Sequence, residues 1–315
     1  MTIFAMVFPG QGSQTVGMLT ELAVDYEVIE ATFSEASSVL GYDLWKVVQQ
    51  GPTEVLNQTW VTQPALLASS IAIWRIWQQK GGRAPALMAG HSLGEYSALV
   101  CAGSLDFSAA IALVALRGKL MHDAVPSGTG AMSAIIGLDN EAIVAACKQA
   151  AKGQVVSPVN FNSPGQVVIA GHKEAVERAG LVCKEIGAKR TLPLQISVPS
   201  HCLLMKPAAE KLAKTLETVR FSGLQIPVIN NVDVRAEQQP TAIRQALVRQ
   251  LYSPVRWSES VEYLASQGVE ILLEIGPGQV LTNLTKRING NLSGVAVNDV
   301  ASLAVAIEDY NWSYR

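Results

Sequence analysis

The sequence predicts an α/β protein in which helices cover a mostly parallel sheet and a small second domain is inserted into the large one. Three observations carry this prediction. Strands alternate with helices along the first hundred residues, glycine-containing turns follow two of these strands, and the order of elements changes to β-α-β-β-α-β near residue 128. In such a parallel sheet, ligands bind at the carboxyl ends of the strands.

The composition favours an enzyme with a well-buried core and excludes several other classes of protein. Hydrophobic residues make up 49% of the 315 residues and charged residues 16%, unlike disordered or fibrous chains. A formal net charge of -2 gives no general attraction to nucleic acid or to an anionic membrane. Apolar stretches are too short or too interrupted to span a bilayer, and no cationic signal segment is recognisable. We therefore expect a soluble, cytoplasmic protein.

The cysteines and histidines show no metal-binding or disulfide spacing. The four residues of each type are far apart, with no C-x-x-C and no H-x-x-x-H among them. We expect reduced cysteines and no metal.

The large domain is predicted to comprise residues 1–127 and 197–315, on both sides of the insertion. Each predicted strand is a short apolar run, and the first, second and last of them end at glycine-containing turns. The predicted strands are 3–8, 86–89, 228–230 and 270–275, and the predicted helices are 28–40, 65–79 and 95–102.

Residues 128–196 are predicted to form the small domain. The β-α-β-β-α-β order is typical of a ferredoxin-like unit, and its length suits an insertion. The predicted strands are 131–137, 155–160, 166–171 and 188–195, and the predicted helices are 140–151 and 173–186.

The strongest chemical signal is the run G-H-S-L-G at residues 90–94, between a predicted strand and a predicted helix. This is the context of a nucleophile elbow, in which a strained turn exposes the hydroxyl of Ser92 at a helix N-terminus. The next amide, that of Leu93, can stabilise an oxyanion. The alternative is a tight turn with an inert serine.

A serine nucleophile needs a base, and His201 in the run V-P-S-H at 198–201 is the candidate. A lone histidine is more often a surface residue or a hydrogen-bonded core residue, so the assignment depends on the fold bringing it to Ser92. Several Asp and Glu residues lie between the two, and their spacing does not select a third, acidic member.

The glycine-rich run at residues 10–17 fits neither nucleotide-binding motif. The Walker A lysine is replaced by Met18, and the third glycine of G-x-G-x-x-G is replaced by Thr15. A loop that supplies a second oxyanion amide is the better interpretation.

Arg117 interrupts an otherwise apolar helical run at residues 112–121, and two interpretations stay open. Such an arginine usually extends its charged end to solvent or caps the helix. Alternatively, its planar guanidinium binds a carboxylate with two parallel hydrogen bonds inside a pocket.

Several motifs together resemble those of the bacterial malonyl-CoA:acyl carrier protein transacylases, and they occur in the order of that family. The resemblance covers the chain to about residue 303 and implies an α/β-hydrolase-like large domain with a ferredoxin-like insertion. The motifs are F-P-G-Q-G-S-Q at 8–14, G-H-S-L-G-E-Y at 90–96, V-N-F-N-S-P-G-Q at 159–166, V-P-S-H at 198–201 and E-I-G-P-G at 274–278.

The resemblance implies catalytic roles for particular residues. Ser92 would be the nucleophile and His201 its base, oriented by the main-chain carbonyl of Gln250 rather than by an acid. The amides of Gln11 and Leu93 would form the oxyanion hole.

The resemblance also implies the substrates. Arg117 would hold the malonyl carboxylate, and Met121, Asn162 and Ser200 would contribute to the pocket. A malonyl group would pass from malonyl-CoA to Ser92 and then to the pantetheine thiol of an acyl carrier protein, in fatty acid synthesis and without a separate cofactor. The elbow alone does not exclude a serine hydrolase such as a thioesterase, or a non-catalytic module that binds carrier proteins.

Overall fold

The computed structural model describes residues 2–194, 196 and 198–311, and it contains two separate β-sheets. Strands are numbered here in chain order. They are β1 Phe4–Phe8, β2 Leu87–Gly90, β3 Gly130–Ile136, β4 Val156–Ser163, β5 Gln166–His172, β6 Arg190–Pro193, β7 Val228–Ile229, β8 Ile271–Ile275 and β9 Ser293–Val297.

Helices surround the first sheet and cover one face of the second. They are α1 Thr20–Asp25, α2 Val28–Leu40, α3 Leu44–Gln50, α4 Thr53–Leu56, α5 Thr59–Gln79, α6 Gly94–Cys101, α7 Phe107–Asp123, α8 Asn140–Ala151, α9 Lys173–Glu185, α10 Lys206–Thr218, α11 Pro240–Gln250, α12 Trp257–Ser266, α13 Val280–Ile288 and α14 Val300–Asn311, with a 3-10 helix at Leu203–Met205.

The first sheet has the order β7-β2-β1-β8-β9, and its neighbouring strands all run parallel. All five residues of the central strand β1 are buried, as expected for a sheet that is covered on both faces. Phe8 pairs with Gly90, so β1 and β2 end side by side. The loops that follow these two strands therefore begin at the same edge of the sheet.

The second sheet is antiparallel, with the order β4-β5-β3-β6. Helices α8 and α9 bury their apolar faces against it, around residues such as Ile135, Ile143 and Val167. The connectivity is that of a ferredoxin-like unit. The predicted α/β fold, with a parallel sheet and a ferredoxin-like insertion, is confirmed.

Helix α7 packs tightly against the start of α5. A Cβ atom on Gly118 of α7 would lie 2.6 Å from the carbonyl oxygen of Thr59, so only glycine permits this approach. Asp106 caps α7, because its side chain accepts a hydrogen bond from the amide of Ala109. The close approach brings residues near Gly118 next to the first turns of α5.

The element bounds differ from the predicted ones in a few places. Helices 28–40 and 140–151 have the predicted bounds, but α5 begins at Thr59 rather than at 65 and accommodates Pro64 within it. The predicted strand 188–195 is shorter, since β6 ends at Pro193 and Gln195 lies outside the described residues. We retain domains 1–127 with 197–315, and 128–196, as a proposal; the boundary residue Ser197 also lies outside the described residues.

Candidate active site

Ser92 lies in the turn between β2 and α6, in the left-handed backbone conformation with φ 53. Such a conformation is strained for a residue with a side chain, and at an elbow it projects the hydroxyl away from the sheet. A Cβ atom on Gly94 would overlap the carbonyl oxygen of Phe8, and one on Gly90 would overlap Gly94. The two glycines therefore let the elbow lie directly against the end of β1.

The structure brings His201 to Ser92. The Ser92 Oγ atom is 2.8 Å from His201 Nε2, and His201 Nδ1 is 2.6 Å from the main-chain oxygen of Gln250. Gln250 is the last residue of α11, where carbonyl groups have no partner within the helix. When Nδ1 carries the proton and donates a hydrogen bond to this carbonyl, Nε2 is left as the acceptor that faces the serine.

The surroundings of His201 keep its imidazole neutral. Burial, as the largest cause, and the positive charge of Arg117, as the second, lower the pKa of His201 from 6.5 to about 3. The side chain is only 3% exposed. A neutral imidazole at physiological pH is the form that can take a proton from a serine.

The amides of Gln11 and Leu93 lie on either side of the elbow. Gln11 follows β1 in the loop beside the Ser92 turn and lines the same cavity as Ser92, and Leu93 is the N-cap residue of α6. Within the described part of the chain, neither amide donates a hydrogen bond to a protein acceptor. Both are therefore available to a ligand oxygen.

Arg117 is fully buried on α7, at 0% exposure, so the interpretation that it extends to solvent or caps the helix is wrong. Its Nη1 donates to Gln63 Oε1 at 2.8 Å, and its Nη2 donates to Gln250 Oε1 at 2.9 Å and to Ser92 Oγ at 3.2 Å. Among the described residues, its Nε has no hydrogen-bond partner. The guanidinium thus lies next to the serine hydroxyl with donor capacity to spare.

The three remaining candidates lie near this site in different ways. Met121, one turn after Arg117, is buried, and its Sδ atom is 3.6 Å from Gln63 Nε2. Asn162 lines the cavity, and its Oδ1 is 2.9 Å from His91 Nε2. Ser200 also lines the cavity, and its hydroxyl donates to the carbonyl of Val198 at 3.4 Å.

A cavity of ≈ 320 Å³ opens above Ser92 and His201. Strands of the second sheet form one wall, and loops that follow β1 and β2 contribute to the other, so an acyl group on Ser92 would lie between the two predicted domains. Its lining includes residues 10–13, 91–92, 200–201, 280–281 and 284 from one side and Met132, Ala134, Asn160, Asn162, Gln166 and Val168 from the other.

Sequence reasoning missed three residues of this site. Asn231 accepts from the amide of Ser92 at 2.8 Å and donates to the carbonyl of Gly90 at 2.7 Å, so it braces the elbow. Gln63 and Glu95 contact Arg117 and Gln250, respectively. Asn231 is the second residue after the parallel strand β7, and this position near a strand's carboxyl end was a signal that could have found it.

Three further findings bear on the sequence-based expectations. In the part of the chain that the structure describes, no group of three or more His, Cys, Asp or Glu residues could hold a metal ion. No helix in that part is long and apolar enough to cross a membrane. All four cysteines are buried with free thiols.

The chain is similar along nearly its whole length to known acyl transferases. A family model described as an acyl transferase domain matches residues 5–306, which places the chain among the acyl transferases. The malonyl CoA-acyl carrier protein transacylase of Escherichia coli (strain K12) is 66% identical over 308 residues, covering 98% of this chain and 100% of that protein. The chain belongs to the malonyl CoA-acyl carrier protein transacylase family.

Other relatives agree with this assignment. The transacylase of the same name from Haemophilus influenzae is 67% identical over 311 residues, covering 98% of this chain and 99% of that protein. A malonyl-transacylase solved in complex with a type II PKS acyl-carrier protein is 70% identical with a TM-score of 0.97, covering 98% of this chain and 100% of that one.

Proposed function

We propose that the chain transfers a malonyl group from malonyl-CoA to the pantetheine thiol of an acyl carrier protein, through a malonyl ester on Ser92, in fatty acid synthesis. One observation carries the proposal. A serine hydroxyl is hydrogen-bonded on one side to a buried neutral histidine and contacted on the other by a buried arginine, at distances of 2.8 and 3.2 Å. The first contact supports acyl transfer, and the second supports an acyl group that carries a carboxylate.

The first half-reaction forms the acyl-enzyme. Ser92 Oγ attacks the thioester carbonyl carbon while His201 Nε2 takes its proton, and the oxyanion accepts hydrogen bonds from the amides of Gln11 and Leu93. The tetrahedral intermediate collapses by breaking the carbon–sulfur bond. The coenzyme A thiolate leaves with the proton from His201, so the enzyme is malonylated and its base is neutral again.

The second half-reaction repeats these steps with the carrier as acceptor. His201 takes the proton of the pantetheine thiol, the sulfur attacks the malonyl ester, and Ser92 leaves with the proton returned by His201. Because the chain's own serine and histidine supply the chemistry, the mechanism calls for no cofactor. Malonyl-CoA and acyl carrier protein are substrates of a cytoplasmic reaction.

Arg117 gives the site its preference for malonyl over neutral acyl groups. Burial lowers the pKa of Arg117. The guanidinium nevertheless stays charged, because an arginine side chain keeps its proton in proteins. A malonyl carboxylate at Ser92 would accept two charge-assisted hydrogen bonds from it, which offsets the cost of burying the carboxylate. An acetyl group offers no such partner.

Intact-protein mass spectrometry after mixing with malonyl-CoA tests the proposal. We expect one malonyl adduct on Ser92, none on Ser92→Ala, and an unchanged adduct on Ser97→Ala, which removes a buried hydroxyl from α6, the helix that follows Ser92. Addition of holo carrier protein should move the adduct to the carrier. Release of free malonate without the carrier would instead indicate a thioesterase, and a lack of any adduct would indicate a binding module.

A further inference from the structure

The first turn of α6 buries a carboxyl group that the mechanism above does not use. Glu95 is 3% exposed, and its Oε2 accepts from the amide of Asn231 at 3.0 Å and from Gln250 Nε2 at 2.8 Å. Asn231 and Gln250 in turn hold the two sides of the elbow, because they contact the amide and the carbonyl of Ser92, respectively. The carboxylate of Glu95 is therefore connected to the reactive serine through Asn231 and Gln250.

The contacts of Gln250 determine which way its side-chain amide points. Its Nε2 faces three acceptors, which are the carbonyl of Ser92 at 3.1 Å, the carboxylate of Glu95 at 2.8 Å and Oδ1 of Asn231 at 3.4 Å. Its Oε1 faces the Nη2 donor of Arg117. The reversed amide would set an oxygen against three acceptors and an NH₂ group against a guanidinium. Glu95 is the charged acceptor among the three, and it favours the observed direction.

The Gln250 amide thus connects two opposite charges without letting them pair. No carboxylate in the described part of the chain lies within ion-pair distance of Arg117, and the ring of Tyr96 lies 5.3 Å from its guanidinium carbon. A direct ion pair with Glu95 would occupy the planar donor face that a substrate carboxylate needs. The intervening amide keeps the negative charge near and accepts a single hydrogen bond from Nη2, and among the described residues the Nε of Arg117 is left without an acceptor.

We propose that Glu95 is a positioning residue for acyl selectivity. It fixes the direction of the Gln250 amide, and it balances the charge of Arg117 across that amide without pairing with it. The guanidinium therefore remains open to the substrate carboxylate. The inference rests on the proposed malonyl transfer. It assigns to Glu95 no contact with the reacting atoms.

The first test compares kcat/KM for malonyl-CoA and acetyl-CoA in wild type, Glu95→Gln and Glu95→Ala. Assays near pH 8 keep the carboxyl group ionised, since burial raises its pKa to about 7. We expect the malonyl-to-acetyl ratio to fall ~10-fold in Glu95→Gln and further in Glu95→Ala, where Gln250 loses an acceptor. A merely structural role would lower both constants alike, and an unchanged ratio would overturn the inference.

A charge swap is the sharper test. Combining Glu95→Gln with Gln250→Glu keeps the net charge and the main-chain carbonyl that His201 uses, but places a carboxylate directly against Arg117. We expect the ratio to fall ~100-fold or more while acetyl transfer persists. A folded swap variant that keeps the wild-type ratio would also overturn the inference, and if the swap does not fold, the Glu95→Gln ratio decides.

Glu274→Gln is the matched control. Glu274 is also buried, and its carboxylate accepts from the amides of Leu281 and Thr282 at the start of α13 rather than from Gln250 or Asn231. Its loss should lower thermal stability without changing the ratio by more than ~2-fold. Failure of wild type to accept malonyl-CoA would refute the proposed function itself, whereas a malonyl-specific wild type with an unaffected Glu95→Gln refutes only the role of Glu95.

Discussion

The two halves of the site differ in how they are built and in what they determine. Ser92 and His201 face the cavity, and both have left-handed backbones, with φ 53 and φ 63. Arg117 and the side chain of Gln250 lie beneath them, with 0% exposure, in a network of amide and guanidinium hydrogen bonds. Backbone strain thus exposes the reactive groups. In the mechanism that we propose, the reactive half serves any thioester, and the buried side chains select the acyl group.

Removal of the base should have the largest effect and should affect all acyl groups equally. We expect His201→Ala to slow acylation by both malonyl-CoA and acetyl-CoA by ~10²–10⁴-fold, because general-base assistance contributes about that much. Single-turnover mass spectrometry measures both rates. His172→Ala is the control, since that histidine accepts a hydrogen bond from the amide of Val155 in the small sheet. If His201→Ala slowed acylation by only one of the two acyl-CoA substrates, the assignment of rate to one half and selectivity to the other would be wrong.

Removal of the guanidinium should do the opposite and change selectivity more than rate. Loss of one partner of a buried charge pair costs about 3–5 kcal/mol, roughly two to three orders of magnitude. We expect Arg117→Ala to lower the malonyl-to-acetyl ratio of kcat/KM by about that factor. Arg117→Lys should recover only part of it, because an ammonium lacks the planar fork. An unchanged ratio in Arg117→Ala would show that the carboxylate binds elsewhere.

The difference between the halves also explains what could be predicted from the sequence. The G-H-S-L-G run specifies its own turn locally, because two glycines permit the strained serine, so the elbow was predicted without any tertiary information. His201 was a candidate base from the residues alone, on the condition that the fold brings it to Ser92, whereas the carbonyl of Gln250 required the family resemblance, since Gln250 is distant along the chain from both.

The buried half could not be derived in the same way. Arg117 in an apolar helix is compatible with a solvent-directed side chain, and only the close packing of α5 and α7 at Gly118 shows that it points inward to Gln63. Glu95 was part of a recognised motif, but its partners lie on α11 and after β7, more than a hundred residues away.

Strand β9 was also missed, because its run S-G-V-A-V is short and only moderately apolar.

The smallest expected effect is a shift in the pKa of His201 in the reactive half when the charge of Arg117 in the buried half is removed. Burial is the main cause of the low pKa of His201, and the positive charge of Arg117 is the second. Removing Arg117 should therefore raise this pKa from about 3, but not to the usual 6.5, because the imidazole stays buried. With acetyl-CoA as donor, kcat/KM should be flat between about pH 5 and about pH 8 in wild type, and its acid limb should lie at a higher pH in Arg117→Ala.

Two controls separate this shift from other titrations. Glu95, whose pKa is about 7, also titrates in this range. If His201 causes the acid limb of Arg117→Ala, that limb must persist when Glu95→Gln is added to the variant. Because the folded pKa of His201 is below its unfolded value, the stability it contributes is complete above pH 6.5 and is lost as the pH falls towards about 3. Thermal unfolding at each pH shows which assays report on folded protein. Identical acid limbs in wild type and Arg117→Ala would mean that the buried charge does not reach the base, and that the two halves act independently.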